Sequence, residues 1–178
     1  MNKFLTGLEV LLISPVAVTA GPLEDHNVLW HSRQRAGVTL RVNNLQLCGD
    51  NTGGGHYSSL YRTMVICQDG QSQATSGEKV QWTANDMDTL RHEAHHVIQD
   101  CLDGALGDGN MTPVYTDSDE WKAFVTKMPQ DKIDHIIKQY KSRGASNHLL
   151  YLELEAFSAA HNVGPLLIAK GLDQVCVR

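Results

Sequence analysis

The hydrophobic period of the chain changes once, near residue 85, and that change sets the fold class. Before it, Val38, Leu40 and Val42 alternate with Thr39 and Arg41, and residues 60–67 are rich in β-branched and aromatic side chains. Both segments read as strands. Between them lies a glycine-rich stretch, Gly49, Gly53, Gly54 and Gly55, without the Lys-Ser/Thr of a phosphate-binding loop; it reads as a mobile connection. The polar residues 68–79 read as a further loop. From residue 85 onward apolar residues recur at helical spacing. Met87, Leu90, Ala94, Val97 and Cys101 form one stripe, which Asn85 can cap and Gly104 ends. Asp117 and Glu120 open a second, with Trp121, Phe124, Val125 and Met128; Ile133, Ile136, Ile137 and Tyr140 make a third that stops by Gly144. Asn147 can cap a last long helix to about residue 162, ahead of Gly164 and Pro165. Strands first and helices after specify an α+β fold, with a small antiparallel sheet near the N-terminus and a mainly helical remainder.

At 178 residues the chain has room for one such core, expected over residues 21–178. Its net charge of -5 argues against a surface built to track phosphates, so nucleic acid is not an expected partner. Residues 1–20 differ from the rest: Lys3 precedes a mostly apolar run from Leu8 to Val18, followed by the small-residue pattern Val18-Thr19-Ala20. This resembles a secretory signal peptide, the alternative being a buried N-terminal element. Past it no stretch is apolar enough to span a bilayer. Residues 21–36 show no clear period and read as a lead-in or a pro-segment. The four cysteines allow two disulfides in three pairings. The strands flanking the 51–57 loop favour Cys48 with Cys67, leaving Cys101 with Cys176; four buried thiols are the alternative. Export to a periplasmic or secreted location follows from the leader and the cysteines together.

The chemistry is carried by residues 92–96, His92-Glu93-Ala94-His95-His96, on the first predicted long helix. The His-Glu-x-x-His spacing puts two imidazoles one turn apart on one face, where they can grip zinc. That face points away from the apolar stripe, so one side of the helix can enter the core while the other lines a cleft. Glu93 supplies a carboxylate able to take a proton from water and pass it to a leaving amine, which a purely structural zinc site would not need. His95 lies about 100° from His96 around the helix and reads as a neighbour of the site or a surface residue. A catalytic zinc wants a third protein ligand and one open position. Among Glu120, His135, His148, Glu153, Glu155 and His161, the first is better explained by capping and His135 by solvent exposure. Glu153 and Glu155 interrupt a long apolar helix, where a carboxylate needs a partner.

With these residues the sequence resembles the gluzincin metallopeptidases, the thermolysin-like group in which His-Glu-x-x-His is completed by a Glu on a later helix. The resemblance covers residues 92–96 and 153–159. Glu155-Ala156-Phe157-Ser158 follows the E-A-x-S-D pattern of thermolysin-like enzymes until Ala159 replaces the Asp. Other gluzincin-like families show E-x-E-A with the first Glu as ligand, which would choose Glu153. Helical facing favours Glu155, which shares a small, polar side with Tyr151, Ser158, Ala159 and Asn162, over Glu153 among Leu149, Leu150 and Phe157. The expected zinc ligands are therefore His92, His96 and Glu155, with Glu153 as runner-up. The resemblance implies a zincin-like fold around an active-site helix, and a strand before that helix whose edge aligns an extended peptide. Residues 60–67 are the nearest match. Tyr140, His148, Tyr151 and His161 are all open as the group that stabilises the oxyanion.

The expected function is zinc-dependent hydrolysis of a peptide or protein substrate, with Glu93 as the catalytic residue. One alternative is a non-catalytic protein in which zinc contributes folding energy only. Another is hydrolysis of a different amide, such as a cell-wall peptide cross-link.

Overall fold

The structure is a computed structural model and describes residues 23–49, 54–69 and 81–177. The expected signal peptide and most of the polar loop at 68–79 lie outside the described residues. In chain order the elements are α1 (Leu23–Arg35), β1 (Thr39–Val42), α2 (Leu45–Cys48), β2 (Gly55–Ser58), β3 (Thr63–Ile66), α3 (Ala84–Cys101), α4 (Ser118–Val125), α5 (Gln130–Ser142), α6 (Asn147–Asn162) and α7 (Pro165–Val175).

The α+β class holds, but the sheet is mixed where an antiparallel one was expected. Its order is β1-β3-β2. β3 runs parallel to β1, pairing Thr39 with Thr63 and Val42 with Ile66, and antiparallel to β2, pairing Gly55 with Ile66 and Ser58 with Thr63. The reason lies in the glycine-rich connection, which itself holds α2 and β2. A chain of that length can cross over and return parallel, as a tight hairpin cannot. The second expected strand shortens to β3 because the chain turns at Arg62, whose φ is 49°.

Three helices escaped the sequence reading, the short α2 among them. α1 occupies the supposedly irregular lead-in; its buried face is His26, Leu29, Ser32 and Arg33, helical in spacing but polar in composition. α1 packs on α7, and Arg35 and Ser32 both reach Asp173 of α7. α7 begins with Pro165 in its first turn, where a missing N–H costs nothing, so the Gly164-Pro165 pair starts a helix as well as ending one. Two caps also move by a residue or two. Thr83, not Asn85, caps α3: its hydroxyl accepts from the Asp86 N–H at 3.1 Å while Asp86 accepts from the Thr83 N–H at 2.9 Å. Ser146, not Asn147, caps α6, whereas Asp117 caps α4 as expected.

α3 is the centre of the molecule. It packs against β2 and β3, α1, α7 and α6. The main apolar cluster, including Leu29, Met64, Ile66, Leu90, Val97, Ile168 and Leu172, joins α1, the sheet, α3 and α7. A second, with Val125, Met128, Ile133, Ile136 and Leu154, joins α4, α5 and α6 on the far side. Both expected disulfides are present, Cys48–Cys67 tying α2 to the end of β3 and Cys101–Cys176 tying the end of α3 to the end of α7. Two disulfides suit an oxidising compartment. Among the described residues no helix is long and apolar enough to cross a membrane.

β2 lies against α3 because residue 55 is glycine. A Cβ there would stand 2.5 Å from the Val65 carbonyl oxygen, 2.8 Å from Thr89 Cγ2 and 3.4 Å from Glu93 Cγ. Gly55→Ala should therefore push β2 off the helix and cost about 1–3 kcal/mol, the usual penalty for an overpacked contact. Urea unfolding checks this; an unchanged midpoint would mean that the strand does not need the close approach.

Candidate metal centre and cleft

From Leu90 to Cys101 every residue of α3 is buried, although seven of these twelve are polar. Each polar group therefore needs a partner. Arg91 donates to the Ala160 carbonyl at 2.9 Å, contacts the His26 ring at 2.8 Å and pairs with Asp88. Asp100 accepts from the Tyr57 hydroxyl at 2.6 Å and the Gly107 N–H at 3.2 Å. Gln99 bridges His96 Nδ1, at 2.7 Å, and the Leu152 carbonyl, at 3.1 Å. Two atoms of the helix stand out among these pairs: His92 Nδ1 and Glu93 Oε2 are buried with no hydrogen-bond partner.

His92, Glu93 and His96 each bring a ligand atom within 4.8 Å of the others, so the group can hold a metal ion. The two Nε2 atoms are 3.1 Å apart. Glu153 on α6 joins them, its Oε2 lying 3.2 Å from His92 Nε2 and 3.5 Å from His96 Nε2. Tyr140 on α5 donates its hydroxyl to the same Oε2 at 2.8 Å and holds the carboxylate in place. The His92 ring is set by packing, 4.3 Å from the Phe157 ring.

Glu155, preferred on helical facing, is elsewhere. It is fully buried, accepts from the Val114 N–H at 2.8 Å and pairs with His95 Nε2 at 2.9 Å. The facing argument took the small, polar side of α6 for the cleft side. That side is packed: Ser158 donates to the Phe124 carbonyl and Tyr151 stacks on Trp121 at 3.7 Å. The cleft runs instead along Leu149, Glu153, Phe157 and Ala160, spaced by four and three residues on one stripe. Glu120, His135, His148 and His161 stay exposed, away from the imidazole pair.

The cleft measures about 480 Å³. Gly54 to Tyr57 form one wall, the α3 face with Thr89, His92, Glu93 and His96 the floor, and Tyr140, Leu149 and Phe157 the opposite wall. The strand that lines the cleft is thus β2, at the sheet edge, whereas β3, the strand within the expected 60–67 segment, is central and paired on both sides. Gln99 and β2 were missed at the sequence level. Gln99 had a readable signal, since three residues past His96 its side chain must lie alongside that ring.

The electrostatics follow from burial with few partners. Burial pushes the Glu93 carboxyl up to about 8, against the pull of His96 and a hydrogen bond from the Tyr57 N–H. Burial, together with the neighbouring imidazoles, lowers His92 to about 4. At His96 burial is outweighed by Glu153 and Glu93, and the ring is raised to about 9. Glu153 stays far below the ordinary carboxylate range because both imidazoles outweigh its burial.

Compared with known protein families, curated proteins and solved structures, the chain matches none.

A buried carboxyl raised from 4.5 to about 8 opposes folding whenever it must ionise. Below pH 4.5 Glu93 is neutral folded or unfolded and costs nothing; as pH rises toward 8 the unfolded chain ionises it first and stability falls. Glu93→Gln should therefore raise the melting temperature of the metal-free protein at pH 7–8 and have little effect near pH 4. A variant equally stable to wild type at pH 8 would show that Glu93 is not held in an apolar setting.

Proposed function

We propose that this chain is a zinc-dependent peptide hydrolase of the gluzincin type, in which His92, His96 and Glu153 hold the metal and Glu93 is the general base. The observation that carries the reading is the triangle of His92 Nε2, His96 Nε2 and Glu153 Oε2, with sides of 3.1, 3.2 and 3.5 Å. Zinc bound tetrahedrally at about 2.0–2.1 Å from nitrogen and oxygen separates its ligands by about 3.3 Å. The donor set fits in chemistry too, two imidazoles and one carboxylate with one position left open. Glu93 is the less suitable third ligand, being engaged by the Tyr57 N–H of β2.

Zinc held there would supply Lewis acidity, polarising a carbonyl and making water easier to deprotonate. The remaining work falls to side chains of this chain. Glu93 Oε2, buried and without a partner, takes a proton from the attacking water as its oxygen bonds to the carbonyl carbon. The same oxygen then delivers that proton to the departing amine as the C–N bond breaks, leaving a carboxylate and an amine. Burial makes ionised Glu93 a stronger base than a carboxylate in water. Tyr140 keeps Glu153 aimed at the two imidazoles. β2 contributes the route for substrate: as an edge strand lining the cleft it can pair with an extended peptide and lay it across Glu93. Export to an oxidising compartment accords with the two disulfides.

Three variants test the reading by zinc content after dialysis and by cleavage of an unbiased peptide library. Glu153→Gln should lose most of its zinc, and Glu155→Gln should keep it. Glu93→Gln should keep its zinc and lose about 10²–10⁴-fold in hydrolysis. Zinc without cleavage of any peptide or cell-wall amide by wild type would favour a structural metal; zinc lost in Glu155→Gln but kept in Glu153→Gln would move the ligand.

A further inference from the structure

Gln99 is fully buried and touches both helices that supply the three converging atoms. Its orientation is fixed by chemistry. A backbone carbonyl only accepts, so the Gln99 amide nitrogen must face the Leu152 oxygen, 3.1 Å away, and Oε1 must face His96 Nδ1, 2.7 Å away. At 2.7 Å from an amide oxygen the His96 Nδ1 must carry a hydrogen, since two lone pairs would otherwise meet. In neutral His96 the lone pair is thereby confined to Nε2, the atom that faces His92 and Glu153. The other end of Gln99 is tied to residue 152, next in the chain to Glu153. His92 has no such support, its Nδ1 being buried without a partner.

Resting on the zinc reading above, we propose that Gln99 is a positioning residue that commits His96 to metal binding through Nε2 and locks its ring to the α6 backbone beside Glu153. Polar groups behind metal-bound imidazoles set both tautomer and ring orientation, and losing one typically weakens metal binding about 10–100-fold. An amide does this without adding charge, and its two ends discriminate: only the oxygen end can serve the imidazole, only the nitrogen end the carbonyl.

The test compares wild type with Gln99→Met, which fills the volume without polar atoms, and Gln99→Glu, which keeps an acceptor for Nδ1. The readouts are zinc affinity by chelator competition and, as a check of folding, circular dichroism. Gln99→Met should bind zinc about 10–100-fold more weakly while folded, and Gln99→Glu should recover most of that loss. Equal affinity in wild type and Gln99→Met, or no recovery in Gln99→Glu, overturns the role of Gln99 while the zinc reading stands. A wild type that holds no zinc overturns both. Should Gln99→Met fail to fold, nitrogen-15 NMR of zinc-loaded wild type decides: the proposal requires a proton on His96 Nδ1, and metal on that nitrogen overturns it.

Discussion

The structure depends on the burial of a polar helix. α3 enters the middle of the molecule carrying Arg91, three histidines, Glu93, Gln99 and Asp100, and none of these keeps appreciable contact with water. Leaving such groups unpaired costs on the order of 1–3 kcal/mol each. The surrounding elements are arranged to answer them: the end of α6 receives Arg91, its middle receives His95 and Gln99, and β2 brings Tyr57 to Asp100. The apolar stripe of α3 determines which way the helix faces, and its polar groups determine what must stand opposite.

α3 to α6 were legible in the sequence because their apolar faces repeat cleanly, and the His-Glu-x-x-His spacing was legible because it is local to one helix. α1 was not, since its buried face is written in His26, Ser32 and Arg33, which carry no hydrophobic period. β2 was hidden by Gly54 and Gly55, residues that signal a loop, although Gly55 is there because the helix leaves no room for a side chain. Whether Glu153 or Glu155 joins the imidazoles depended on which side of α6 meets the cleft. A facing argument from polarity alone put the carboxylates the wrong way round, because Glu155 Oε1 finds its partners inside the fold, at the Val114 N–H and His95. Polarity marks a surface or a satisfied interior equally well, and only the tertiary partners separate the two.

The cleft carries a division of labour between its walls. The helical side supplies rigid side chains, held from behind by Gln99 and Tyr140. The strand side supplies backbone, brought close by a glycine, on a strand that is at the edge of the sheet among the described residues. Side chains suit tasks that need one atom at one point; a strand edge suits a partner that is recognised by its main chain and tolerates many sequences.

The Cys101–Cys176 bridge changes the denatured chain as well as the folded one. Glu153 lies inside the segment it closes, and His96 lies five residues before Cys101. Through the bridge the path between them is roughly half its length along the chain, which lowers the entropic cost of bringing the two together by about 0.6 kcal/mol. An oxidised chain that has lost its tertiary structure thus keeps the imidazoles and the carboxylate at higher mutual concentration than a reduced one, and reassembly of the cluster begins from that advantage.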